Sequence, residues 1–176
     1  MTITFKTVAK LIHGLCFYLL LSPLAHAHLM VAQHGTLNIV DDGAFMVLSL
    51  AISSFQGIDD DQNGDVSALE FNRHKTDIVH TIKQGITLRD GKGNCPLEGI
   101  MLSPVMDHQA HQDSISQLTI MGRFTLAAPA TPLVLHIDLY GKQPLEKTIE
   151  VSARRNTAME VNQFSPTSPE AKFFAE

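Results

Sequence analysis

Residues 59–70, Asp-Asp-Asp-Gln-Asn-Gly-Asp-Val-Ser-Ala-Leu-Glu, constrain this chain more than any other stretch. Oxygen donors stand at the alternating positions Asp59, Asp61, Asn63, Asp65 and Ser67, and again at Glu70. Gly64 sits in the middle, where the backbone must turn sharply and a Cβ is costly. No Cys or His interrupts the set. Oxygen donors alone suit a hard cation, and calcium takes about six to eight of them. Asp59, Asp61 and Glu70 are carboxylates that repel one another unless positive charge lies between them. Acidic turns with Asn-Gly or Asp-Gly are common. A glutamate at the twelfth position, with every intervening residue suited to one ion, is not a feature of ordinary turns.

The stretch resembles the calcium loop of the EF-hand family. The resemblance implies side-chain ligands at Asp59, Asp61 and Asn63, and a backbone carbonyl ligand at Asp65. It further implies Ser67 as a direct or water-bridged ligand and both oxygens of Glu70 closing the site. Val66 is the apolar residue of the loop that points inward, and Asp60 takes a position that does not ligate. Replacing Asp60 is therefore expected to do little. Ser67-Ala68-Leu69-Glu70 also reads as a capping box, so a helix is expected over 68–83, ended by Gly85. The entering side departs from the family. Residues 44–52 suit a strand and Gly57 stands just before the loop, so a strand or short turn is expected in place of an entering helix.

Residues 1–27 read as a secretory signal peptide. Lys6 and Lys10 give a basic start, 11–21 an apolar run, and Ala25-His26-Ala27 a small-x-small cleavage site. The apolar run is short for a membrane span of about 20 residues. Removing 27 of 176 residues leaves 149, enough for one domain with a real core. Two lysines and no acids leave with it, so the net charge goes from −5 to −7. An acidic exported product is a poor candidate for binding nucleic acid or anionic membranes. Cys95 is then the only cysteine, so no internal disulfide is available.

The remainder reads as short strands. Residues 36–40 and 44–53 form a hairpin around Asp41-Asp42-Gly43, and the second is apolar on both faces, as a central strand is. Strands follow at 86–88 and 97–102 with a turn at 90–94, and then a polar loop over 104–113 holding His108 and His111. The clearest period-two signal comes later. Leu118, Ile120, Phe124 and Leu126 face one way, and Thr119, Met121, Arg123 and Thr125 the other. Leu133, Leu135, Ile137 and Leu139 alternate likewise, as do Ile149, Val151 and Ala153, with a last strand at 158–162. The expected fold is mainly β: an antiparallel β-sandwich-like domain over 28–164 with the EF-hand loop and its exiting helix inserted. Residues 165–176, with two prolines and several Ser and Thr, are expected to be a flexible tail, although Phe173-Phe174 could dock somewhere. The whole arrangement resembles a group of exported bacterial proteins with a single EF-hand, a resemblance that supplies no biochemical activity.

Other chemistry is thinner. Cleavage after Ala27 would make His28 the N-terminus, and its amine and imidazole, with His34, His108 or His111, would suit copper(II). Cys95 is a small residue at a strand start before it is a nucleophile, and no nucleophile elbow or other spaced catalytic motif is present. The expected class is a non-catalytic calcium-binding module, periplasmic or secreted. Its role would be structural or interactive, with a protein partner at the cell envelope that the sequence does not name. The alternative is a periplasmic copper-binding protein that uses His28.

Overall fold

The computed structural model describes residues 32–106 and 114–175. The strands are β1 (His34–Val40), β2 (Gly43–Ala51), β3 (Ile86–Asp90), β4 (Gly93–Cys95), β5 (Leu97–Met106), β6 (Ile115–Thr125), β7 (Leu133–Ile137), β8 (Ile149–Arg155), β9 (Ala158–Phe164) and β10 (Glu170–Phe173). A single α-helix among the described residues, α1 (Ala68–Gly85), lies between β2 and β3. The strands form a six-stranded sheet in the order β5-β6-β2-β1-β8-β9 and a four-stranded sheet in the order β10-β7-β3-β4. Every pairing is antiparallel except that of β1 with β8. The fold is mainly β and sandwich-like, as the alternation implies.

Side-chain alternation decides which face of each strand goes inside. Leu118, Ile120, Phe124 and Leu126 are buried, whereas Thr119, Met121, Arg123 and Thr125 are only half-buried. Leu133, Leu135 and Ile137 from the smaller sheet and Ile149, Val151 and Ala153 from the larger join the same core. Phe71, Ile78 and Ile82 bring one stripe of α1 into it. That spacing, one residue per turn or two, is what an amphipathic helix needs to bury one side. The helix ends where Gly85 lets it approach Leu139, whose Cγ lies 2.6 Å from the place a Cβ would occupy. Strand β2 is third of the six, hence central, and Met46, Leu48 and Leu50 are buried.

Three expectations change. Strand β5 continues through Pro104 to Met106, where a polar loop was expected from 104. Proline is tolerated there because β5 is an edge strand and only its β6 side needs hydrogen bonds. Strand β7 stops at Ile137, short of Leu139 where the alternation ends, although Leu139 remains buried. The largest change is at the C-terminus. The expected flexible tail, 165–176, is not loose where it is described, through residue 175: Glu170–Phe173 pairs antiparallel with β7, from Glu170 opposite His136 to Phe173 opposite Leu133. Phe173 is fully buried, with its ring 6.4 Å from that of Phe164. The Arg155 guanidinium lies 4.4 Å over the Phe174 ring. Two adjacent phenylalanines and a free edge on β7 outweigh the loop-like composition before them. The domain therefore runs through this segment rather than ending at 164.

Candidate metal centre

The chain leaves β2 into a 3-10 turn at Ile52–Ser54, where the Phe55 N–H donates to the Ile52 carbonyl at 3.0 Å. Phe55 and Ile58 are buried and fix the approach. Gly57 has φ +73°, a left-handed conformation that glycine takes without strain. No helix enters the loop, in keeping with the strand-like residues before it. On the far side Ser67 caps α1. Its hydroxyl accepts the Glu70 N–H at 3.3 Å, and the Glu70 carboxylate accepts the Ser67 N–H at 2.8 Å.

This fold of the loop brings Asp59, Asp61 and Glu70 together. One carboxylate oxygen from each lies within 4.8 Å of the others. Asp59 Oδ2 accepts the Gly64 N–H at 3.0 Å, whereas Asp59 Oδ1 is buried and has no hydrogen-bond partner among the described residues. Asp61 accepts the Asn63 N–H at 3.2 Å and its Nδ2 at 3.0 Å. Asn63 Oδ1 accepts the Asp65 N–H at 2.8 Å. These short-range bonds wind the backbone around the side-chain oxygens, and Gly64, at φ +92°, makes the turn. Glu70 is buried and multiply held: Oε1 accepts the Asp60 N–H at 2.9 Å, and Oε2 accepts both the N–H and the hydroxyl of Ser67, at 2.8 and 2.7 Å. The Ser67 backbone bond first, then the Ser67 hydroxyl and the Asp60 backbone, hold its carboxyl below the usual range. It is thus fixed as an anion. Of the expected ligands, Asn63 and Ser67 reach the cluster through Asp61 and Glu70, and Asp65 is half-buried in the loop.

Three gathered carboxylates with a buried, unpartnered oxygen fit a metal ion, since a buried polar atom without a partner is costly. The donors are all oxygen, which favours a hard cation over zinc or copper.

Two contacts escape a reading of the loop alone. Asp60 does not join the cluster; its carboxylate pairs with Arg73, and with His74 Nε2 at 2.8 Å, on the first turns of α1. It therefore ties the loop to the helix, and its replacement will do more than the sequence suggested. The second contact runs from Val66 to β6: the Ile115 N–H donates to the Val66 carbonyl at 2.8 Å.

The Asp60 hydrogen bond raises the His74 pKa above its ordinary 6.5, and the bonds from His74 and Arg73 lower that of Asp60 below 3.8. His74, raised on folding, adds stability below about 6.5 that fades as pH rises through its folded value. Asp60, lowered on folding, adds stability above about 3.8 that fades as pH falls through its folded value. The tie is thus strongest between those limits. In an NMR titration His74 will titrate above 6.5, and Asp60→Asn will bring it down. An unshifted His74 in the parent protein would mean that the contact does not form.

Burial pushes the Cys95 thiol up to about 11, with the Asp90 charge adding to the rise, which leaves it protonated and a poor nucleophile at neutral pH. His34 is exposed, with Nδ1 2.9 Å from the Ala32 carbonyl oxygen and Nε2 3.8 Å from Glu150. His28, His108 and His111 lie outside the described residues, as does the expected signal peptide. Among the described residues no helix is long and apolar enough to cross a membrane. The chain matches no protein-family model and no curated protein.

Proposed function

We propose that this protein binds calcium through loop 59–70, with Asp59, Asp61, Asn63, Asp65, Ser67 and Glu70 as its ligands. It acts as a non-catalytic module, exported to the periplasm or beyond. The observation that carries this reading is the buried, unpartnered Asp59 Oδ1 within a cluster of three carboxylates. When bound, the ion would supply the positive charge that the cluster lacks. The chain's own residues do the rest: Gly64 makes the turn, Ser67 and Asp60 hold Glu70, and Glu70 joins the loop to α1. The role is structural or interactive. An ordered loop fixes the exposed polar side of α1, which then faces a protein partner at the cell envelope.

Calorimetry on the exported chain tests this. A lone loop of an extracellular kind should bind with a Kd of about 0.1–1 mM. At calcium about ten times Kd the linked gain in stability is roughly 1.4 kcal/mol. No heat up to tens of millimolar calcium, or stoichiometric copper held only when His28 is the first residue, would overturn the reading.

A further inference from the structure

The larger sheet is incomplete at one place, and the calcium loop fills it. The pairing of β2 with β6 ends at Ala51 opposite Gln117. Strand β6 begins two residues earlier, at Ile115, so its first residues extend past the end of β2. On the β5 side the ladder is irregular between Val105 and Met106, where Met106 stands opposite Ile115. The missing neighbour is Val66-Ser67. The Ile115 N–H donates to the Val66 carbonyl at 2.8 Å, and Ser67 pairs antiparallel with Ser114 as an isolated bridge. Val66, Ser114 and Ile115 are all buried while the loop is seated, so its withdrawal would take away the only acceptor the Ile115 N–H has there among the described residues. An unpaired buried N–H is costly, and the strand end would fray to regain water.

The same two loop residues are tied to the carboxylate cluster. Ser67 gives both its N–H and its hydroxyl to Glu70 Oε2, while its neighbour Val66 gives its carbonyl to β6. Glu70 cannot shift without moving Ser67, and Ser67 cannot shift without moving the acceptor of Ile115. We infer that the calcium loop serves as the missing strand neighbour for the N-terminal end of β6, so that ion occupancy and the pairing of that strand end are coupled. The inference rests on the calcium reading above. Coupling of this kind is reciprocal: what the ion gives to the strand end, the strand end returns as affinity.

Amide hydrogen exchange on the whole chain, with and without calcium, measures it. Calcium will slow the Ile115 amide by about tenfold or more, a factor typical of coupled sites. Amides at 118–124, which lie between β2 and β5, will not change. Glu70→Gln will abolish the calcium-dependent part at Ile115. Conversely Ile115→Pro, which removes the donor together with a buried core side chain, will weaken calcium binding by about five- to tenfold. Because proline in a strand can unfold a domain, the exchange result on the unaltered chain stands as the independent measurement. Calcium binding with an Ile115 rate that does not respond would overturn the coupling and leave the calcium site intact. No calcium binding at all would overturn both.

Discussion

Glu70→Gln lowers calcium affinity by at least about 100-fold, the upper end of what partners one step removed from a metal are worth. Glu70 is a proposed ligand that also closes the capping box of α1 with Ser67. Its Oε1 accepts the Asp60 N–H and its Oε2 accepts two donors from Ser67. Glutamine keeps a single oxygen, so its amide NH2 must face donors on one side or the other. The change removes a charge and an oxygen from the cluster, and it sets donor against donor at the cap. Asp60→Asn is the matched comparison. It alters a neighbouring carboxylate that touches Arg73 and His74 and leaves the three gathered carboxylates in place. Its effect on affinity should be on the order of tenfold, the lower end of what a residue that positions ligands without being one is worth. Calorimetry on both variants, with circular dichroism to confirm that each is folded, separates the two roles. Equal losses would mean that the ligands have been misassigned.

The gathering of Asp59, Asp61 and Glu70 and the cap at Ser67 were legible because they are local. Twelve consecutive residues hold the donors, the glycine turn and the cap, and each requirement leaves its mark on a fixed position. The buried faces of β6, β7 and β8 were legible for a similar reason, since alternation is written residue by residue in the strand. Partnership is not written that way. Nothing near His34–Val40 announces that Ile149–Arg155 will lie parallel beside it, more than a hundred positions on. The contact of Ile115 with Val66 joins a loop to a strand start through backbone atoms, which carry no residue signature. Asp60 reaches Arg73 and His74 only because the loop folds back over the first turns of α1. Pro104 reads as a break until the strand holding it proves to be an edge.

Phe173→Ala should destabilise the domain by about 3–5 kcal/mol, the usual cost of deleting a buried phenylalanine ring. That is a large share of a typical total of roughly 5–15 kcal/mol. The segment's composition, with prolines and hydroxyl residues, argues for a solvated end, and a solvated end would make the change worth no more than about 0.5 kcal/mol. The geometry argues otherwise. Phe173 has 0% exposure and sits between the rings of Phe164, at 6.4 Å, and Phe174, at 6.3 Å. Phe164 ends β9 of the larger sheet and Phe173 ends β10 of the smaller, so this ring pair links the two sheets on one side. Removing one ring opens a cavity that neither sheet can close without moving relative to the other. The next residue reinforces the dock: the Phe174 N–H donates to Glu160 at 2.9 Å, and its φ of 56° is a strain accepted only where surrounding contacts impose it. Lys172→Ala, at an exposed position of the same strand, serves as the control and should stay within about 0.5 kcal/mol. Urea titrations of both variants decide between the two pictures. A cost for Phe173→Ala no greater than that for Lys172→Ala would mean that the last strand does not belong to the core. In the folded fraction calcium affinity should be unchanged, because the ring joins the sheets, whereas the proposed ligands all lie within 59–70, in the loop before α1 and on its first turn.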